Sequence, residues 1–96
     1  MPKGYIIANV TVHDPEPYQA YISGNTPILQ GRHGATYLVR GGRSEVVEGE
    51  AKDRHVVIEF PSYDAAMAAY NDPDYQEIAE IRRRHSDGVI VVVEGA

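Results

Sequence analysis

Residues 35–60 read ATYLVRGGRSEVVEGEAKDRHVVIEF, and no other stretch limits the fold as strongly. It holds two β-patterned runs, 35–40 and 55–60, with a Gly41-Gly42 turn and a short third run, 43–48, between them. A type I′ hairpin turn needs two positive φ angles, which a Gly-Gly pair adopts without steric cost. In that register Arg40 faces Arg43, and Glu45 lies diagonal to Arg40. Residues 49–54 read as a polar loop. In the last run Val56, Ile58 and Phe60 share one face, while His55, Val57 and Glu59 share the other.

The flanking segments complete the order. In residues 4–12, Ile6, Ala8, Val10 and Val12 alternate with Tyr5, Ile7, Asn9 and Thr11, which is a strand with one apolar and one mixed face. Asp14-Pro15 opens a helix, with aspartate as N-cap and proline where its missing N–H is harmless. Tyr18, Tyr21, Ile22, Asn25, Ile28 and Leu29 form its buried stripe. Gly24 and Pro27 predict a kink or break near residues 24–27, with Thr26 turned away from the α region. Gly31 and Gly34 end the element. Pro61-Ser62 caps a small-residue helix, Asn71-Asp72-Pro73 breaks and restarts it, and Tyr75, Ile78, Ala79, Ile81 and Arg82 continue its buried side. Asp87-Gly88 ends that helix, and residues 89–93 are a closing, uniformly apolar strand.

The pattern is α+β, a ferredoxin-like βαββαβ unit with four principal antiparallel strands ordered 4-1-3-2 and both helices on one face. Its 96 residues make one domain, 1–96. One sheet face is left in water, and an apolar closing strand at a sheet edge needs a cover. A second copy covers both, so a homodimer in the form of a dimeric α/β barrel is expected.

Bulk composition excludes several classes. There is no cysteine, hence no disulfide frame, thiolate nucleophile or zinc knuckle. The net charge is −5, so no nucleic-acid partner is expected; Arg82-Arg83-Arg84, the single basic run, suits a helix C-terminus. The N-terminal apolar run is too short for a signal peptide or a membrane span, so the expected location is cytoplasmic, with no membrane partner. His13, His33, His55 and His85 show no ligand spacing, and no phosphate loop or nucleophile elbow occurs. No metal and no cofactor is expected.

Gly4-Tyr-Ile-Ile, Asp14-Pro with Tyr18 and Tyr21, Tyr37-Leu-Val-Arg-Gly-Gly42, Glu45-Val-Val-Glu-Gly49, His55-Val-Val-Ile-Glu-Phe60-Pro-Ser and Asp72-Pro-Asp-Tyr75 together resemble one family over almost the whole chain. It is the small bacterial family described as domain of unknown function 1330, in the dimeric α/β-barrel superfamily. The resemblance implies the ferredoxin-like fold and the dimer. It implies no particular reaction, since relatives across that superfamily include cofactor-free monooxygenases, muconolactone-isomerase-like proteins, haem-degrading enzymes and stress proteins.

Two constellations are candidates for chemistry. His55 and Glu59 point to one strand face near Asn9 and are the candidate proton movers; alternatively they are hydrogen-bonded within the dimer interface. Seven tyrosines against one phenylalanine is an unusual balance. Tyr18, Tyr21, Tyr70 and Tyr75, apolar in body and polar at the tip, suit the wall of a helix–sheet cleft for an aromatic or keto-acid-like molecule, or plain core packing. Arg40 and Arg82 are candidate carboxylate ligands, with pairing of Arg40 to Glu45 or Glu48 as the alternative. Two functions stay open: a small metal-free enzyme using these residues in the cleft, or a non-catalytic small-molecule-binding or stress-related homodimer.

Overall fold

The computed structural model describes residues 2–96. Strand β1 (Gly4–Val12) lies inside the sheet because both its edges are paired, to β3 (Arg54–Phe60) and to β4 (Ser86–Glu94). β2 (Thr36–Arg40) adds to the far side of β3. The four-stranded order is β2-β3-β1-β4, antiparallel throughout, as the βαββαβ pattern predicts. Helices α1 (Pro15–Thr26), α2 (Tyr63–Tyr70) and α3 (Pro73–His85) pack on one face. The strand alternation decides which face. Ile6, Val10, Ile58 and Phe60 are buried with Leu29, Ala66, Ala69 and Ala79 in the core between sheet and helices.

The helix starts follow local chemistry. Ser62 accepts from the Ala65 N–H at 3.0 Å, and Asp72 accepts from the Asp74 N–H at 2.9 Å, each ahead of its helix. Asp14 also occupies an N-cap position, but its side chain makes no cap bond and reaches His85 instead, at 3.2 Å. Asp72 does more than cap. His33 Nε2 lies 2.7 Å and Arg32 Nη1 2.8 Å from its Oδ2, which ties the end of the first helical segment to the start of α3. These contacts, the His33 hydrogen bond foremost, outweigh burial and hold the Asp72 carboxyl well below the usual carboxylate range. A depressed pKa stabilises the fold above the unfolded value of 3.8 and is lost as pH falls below it. An Asp72→Asn variant should therefore be less stable than the parent at pH 7, with the gap closing as both are titrated below pH 4. Denaturant midpoints measured across that range check this.

Three local expectations are corrected. The interruption expected at residues 24–27 is a change of helix type where α1 ends at Thr26, not a break in the helical backbone, and Thr26 is not turned away from the α region. Thr26 is α-helical, its hydroxyl bonded to the Ile22 carbonyl at 3.1 Å, and Pro27, which has no N–H to continue the α ladder, begins a π-helical segment, Pro27–Arg32. No third run forms over 43–48, and there is no I′ turn. Gly41 has φ +69°, Gly42 is not in the left-handed region, and the Gly41 N–H closes the β2–β3 ladder on the His55 carbonyl before residues 41–53 leave as a loop. Gly88 does not end a helix; it lies within β4 opposite Val10, where a Cβ would sit 2.1 Å from the Asn9 carbonyl oxygen. It lets two backbones approach.

Candidate functional site

The alternation that buries Val56, Ile58 and Phe60 under the helices sends His55, Val57 and Glu59 to the opposite, uncovered face. There Asn9 pairs with His55 and Tyr5 with Glu59 across the β1–β3 ladder. The Asn9 amide donates to His55 Nδ1 at 2.5 Å, and Asn9 Oδ1 accepts from the Lys52 N–H at 2.9 Å. Tyr5 donates to Glu59 at 3.2 Å. His55 and Glu59 thus have separate partners and do not touch. An apolar rung, Val39–Val57–Ile7–Val91, crosses all four strands between these two polar pairs.

The other predicted residues converge under the helices. Every third or fourth residue of α1 faces the sheet, which brings Tyr18, Tyr21 and Asn25 to a small cavity of about 30 Å³. Tyr75 and Arg82 reach it from α3, Tyr37 and Arg40 from β2, and Arg54 from β3. The Tyr21 and Tyr75 hydroxyls are hydrogen-bonded at 2.8 Å, and the Tyr18 ring lies 5.4 Å from that of Tyr21. Tyr70 is half-buried behind Tyr75, at 5.9 Å between ring centres, and does not line the cavity. Asn9, His55 and Glu59 are on the far side of the sheet. The nine candidate residues therefore do not form one site.

Arg40 is held at the rim through its Nη2 and its ring contact. It stacks at 4.0 Å over the Tyr37 ring and donates to the Ile22 carbonyl at 3.0 Å and the Thr26 hydroxyl at 2.7 Å. It pairs with neither Glu45 nor Glu48, because the hairpin that would have presented them is absent. Tyr37 in turn donates to Asn25 Oδ1 at 2.5 Å. Arg82 differs. It is 7% exposed, its guanidinium carbon lies 5.7 Å from the Tyr21 ring centre, and its Nε and Nη2 make no hydrogen bond within the protein. Of the Arg82-Arg83-Arg84 run, only this first residue turns inward; Arg83 and Arg84 are exposed.

Sequence reasoning missed Arg54. Read as loop, it is the first residue of β3, on the same face as Val56 and Ile58, so extending the alternation by one step would have found it. Its guanidinium lies 6.0 Å from the Tyr18 ring centre and packs over the Cα of Gly41, and its Nε also lacks a partner. No aspartate or glutamate lines the cavity. Burial raises the Tyr21 pKa well above 10, with the neighbouring Tyr75 adding to it, and burial likewise raises Tyr18 against the opposing pull of Arg54 and Arg82. Both phenols stay protonated. Burial is the largest influence on Arg82 and works against its charge; the opposing coulombic pull of Tyr21 and Tyr75, which raises its pKa, acts only as those phenols ionise, and Tyr21 stays protonated. The site is therefore cationic, with neutral hydroxyl donors. Among the described residues no group of acidic, histidine or cysteine side chains has the geometry to hold a metal ion, and no helix is long and apolar enough to cross a membrane.

Several solved structures share this architecture. A protein of unknown function from Rhodopseudomonas palustris superposes with a TM-score of 0.77 at 20% identity, over 99% of this chain and 83% of that one. SnoaB, a cofactor-independent oxygenase from Streptomyces nogalater, gives 0.64 at 15% identity, over 100% and 95%. A dimeric ferredoxin-like protein of unknown function from Thermobifida fusca gives 0.64 at 17%, over 97% and 91%. At these identities the likeness is one of fold. No protein of curated function matches the sequence. Residues 3–96 match the family described as domain of unknown function (DUF1330), and the chain belongs to that family.

Proposed function

We propose, for this member of the DUF1330 family, a homodimer in which each protomer binds a small organic molecule in the cavity between α1, α3 and the sheet and acts on it by stabilising negative charge. One observation carries the reading: a nearly closed cavity without carboxylates holds the hydrogen-bonded Tyr21–Tyr75 pair beside the buried guanidinium of Arg82, whose Nε and Nη2 make no hydrogen bond. Donors fixed in advance in a water-poor site stabilise an oxyanion or enolate far better than water does, because they need no reorganisation as charge develops. The cofactor-independent oxygenase among the structural neighbours shows that this fold can host catalysis, an analogy of fold alone. The dimer is supported by the apolar rung on the open face.

The small size of the cavity favours a second reading, a binding protein without turnover. About 30 Å³ holds a guest of one or two waters' size, so a larger ligand needs the tyrosine rings to move. The two readings share a location. Amide and ring NMR shifts measured against a fragment library should move at Tyr18, Tyr21, Tyr75 and Arg82 and stay still at Asn9 and His55. A His55→Ala variant should bind the same fragments within about twofold of the parent. Shifts confined to the open face would overturn the placement.

A further inference from the structure

Building on the cavity as the ligand site, we infer that its ligand is a small organic carboxylate whose head group is held by Arg82 and Arg54. A buried guanidinium is costly unless its donors are used, and proteins almost always give it an acid. Here Arg82 Nε and Nη2 and Arg54 Nε are buried without a well-formed hydrogen bond, the nearby acceptors being the neutral phenol oxygens of Tyr21 and Tyr75 for Arg82 and of Tyr18 for Arg54, in a chain with 14 acidic against 9 basic residues. Carboxylates are plentiful on this protein and none is placed in the cavity. The tyrosine faces compensate in part, but 5.7 and 6.0 Å are at the outer limit of cation–π contact. They leave the in-plane N–H groups free.

What those N–H groups lack is a planar, two-oxygen anion, the partner that a guanidinium fork matches best. Arg40 is less suited to that role, since its Nη2 is committed to the Ile22 carbonyl and the Thr26 hydroxyl and its guanidinium lies over the Tyr37 ring. The existing space exceeds the roughly 10–15 Å³ that one water needs and suits a carboxylate head; the tail extends toward the half-buried rim at Tyr37 and Arg40.

The test is calorimetric titration at constant ionic strength of the whole protein with acetate and benzoate, against acetamide and benzamide as neutral isosteres. Inorganic phosphate is the competing anion. An acid should bind at least about tenfold more tightly than its amide, and Arg82→Met should weaken it by about tenfold to a hundredfold while the amide is unaffected. Arg54→Met should do the same to a smaller degree. Circular dichroism and sedimentation establish that each variant is folded and assembled as the parent. Equal binding of acid and amide, or acid binding indifferent to Arg82→Met, overturns the carboxylate assignment while leaving a small-molecule site in place. Phosphate binding as tight as either acid overturns it in favour of a phosphate site. If neither acids nor amides bind and the fragment library also leaves the cavity silent, both readings fall.

Discussion

A Val91→Lys substitution is expected to convert the proposed dimer into a folded monomer. Val91 lies opposite Ile7 on β4, at one end of the rung that Val39, Val57 and Ile7 continue across the sheet. In the protomer Val91 is 44% exposed, Ile7 39% and Val39 42%, so a lysine there reaches water without disturbing the core. Across a two-fold contact the same lysine is buried without a partner, at a cost of about 3–5 kcal/mol. That is roughly a thousandfold in the dissociation constant. Sedimentation velocity at micromolar concentration, with circular dichroism to verify the fold, gives the answer. A variant that remains dimeric would place the interface elsewhere, and the apolar face would then need another cover.

The same face explains what was legible in the sequence and what was not. Period-2 alternation assigned Ile6, Val10, Ile58 and Phe60 to one side and Tyr5, Ile7, His55 and Glu59 to the other, and the register bears this out. The caps at Ser62 and Asp72 were equally plain, because an N-cap is chemistry within a few residues. Placing His55 and Glu59 in the same cleft as the tyrosines went against that parity: once Val56 and Ile58 meet the helices, their neighbours cannot. Residues 41–53 were harder. A Gly-Gly pair permits an I′ turn but does not require one, and the Gly41 bond to His55 ends the ladder first. Arg54 was hidden by its composition, since an arginine beside Lys52 and Asp53 looks like loop until the strand boundary is known. That Arg82 turns inward while Arg83 does not follows from the stripe through Tyr75, Ile78 and Ala79, but its lack of an acid partner is a tertiary fact. No spacing rule reports it.

That missing partner leads to the second large effect, a gain in stability. Arg82→Met should raise the melting temperature of the ligand-free protein. Methionine keeps most of the unbranched stem that packs beside Tyr21 and Tyr75, and it removes a guanidinium whose Nε and Nη2 are buried without a well-formed hydrogen bond. Replacing a poorly compensated buried charge by an apolar side chain of similar length stabilises by about 1–4 kcal/mol, less the roughly 0.5–2 kcal/mol of lost attraction to the tyrosine face. A net gain of about 1–2 kcal/mol corresponds to roughly 4–16 °C in a domain of this size. The sign distinguishes the two roles open to Arg82. If it held the fold together through bonds to the phenols, its loss would lower the melting temperature, and Tyr21 and Tyr75 would be left short of a donor. If it is kept for an anion, the fold improves without it while acid binding fails, and adding a carboxylate to the parent recovers part of the difference by mass action. Thermal denaturation of parent and variant, each with and without benzoate, therefore measures both the strain that the buried charge places on the empty cavity and its relief by a ligand.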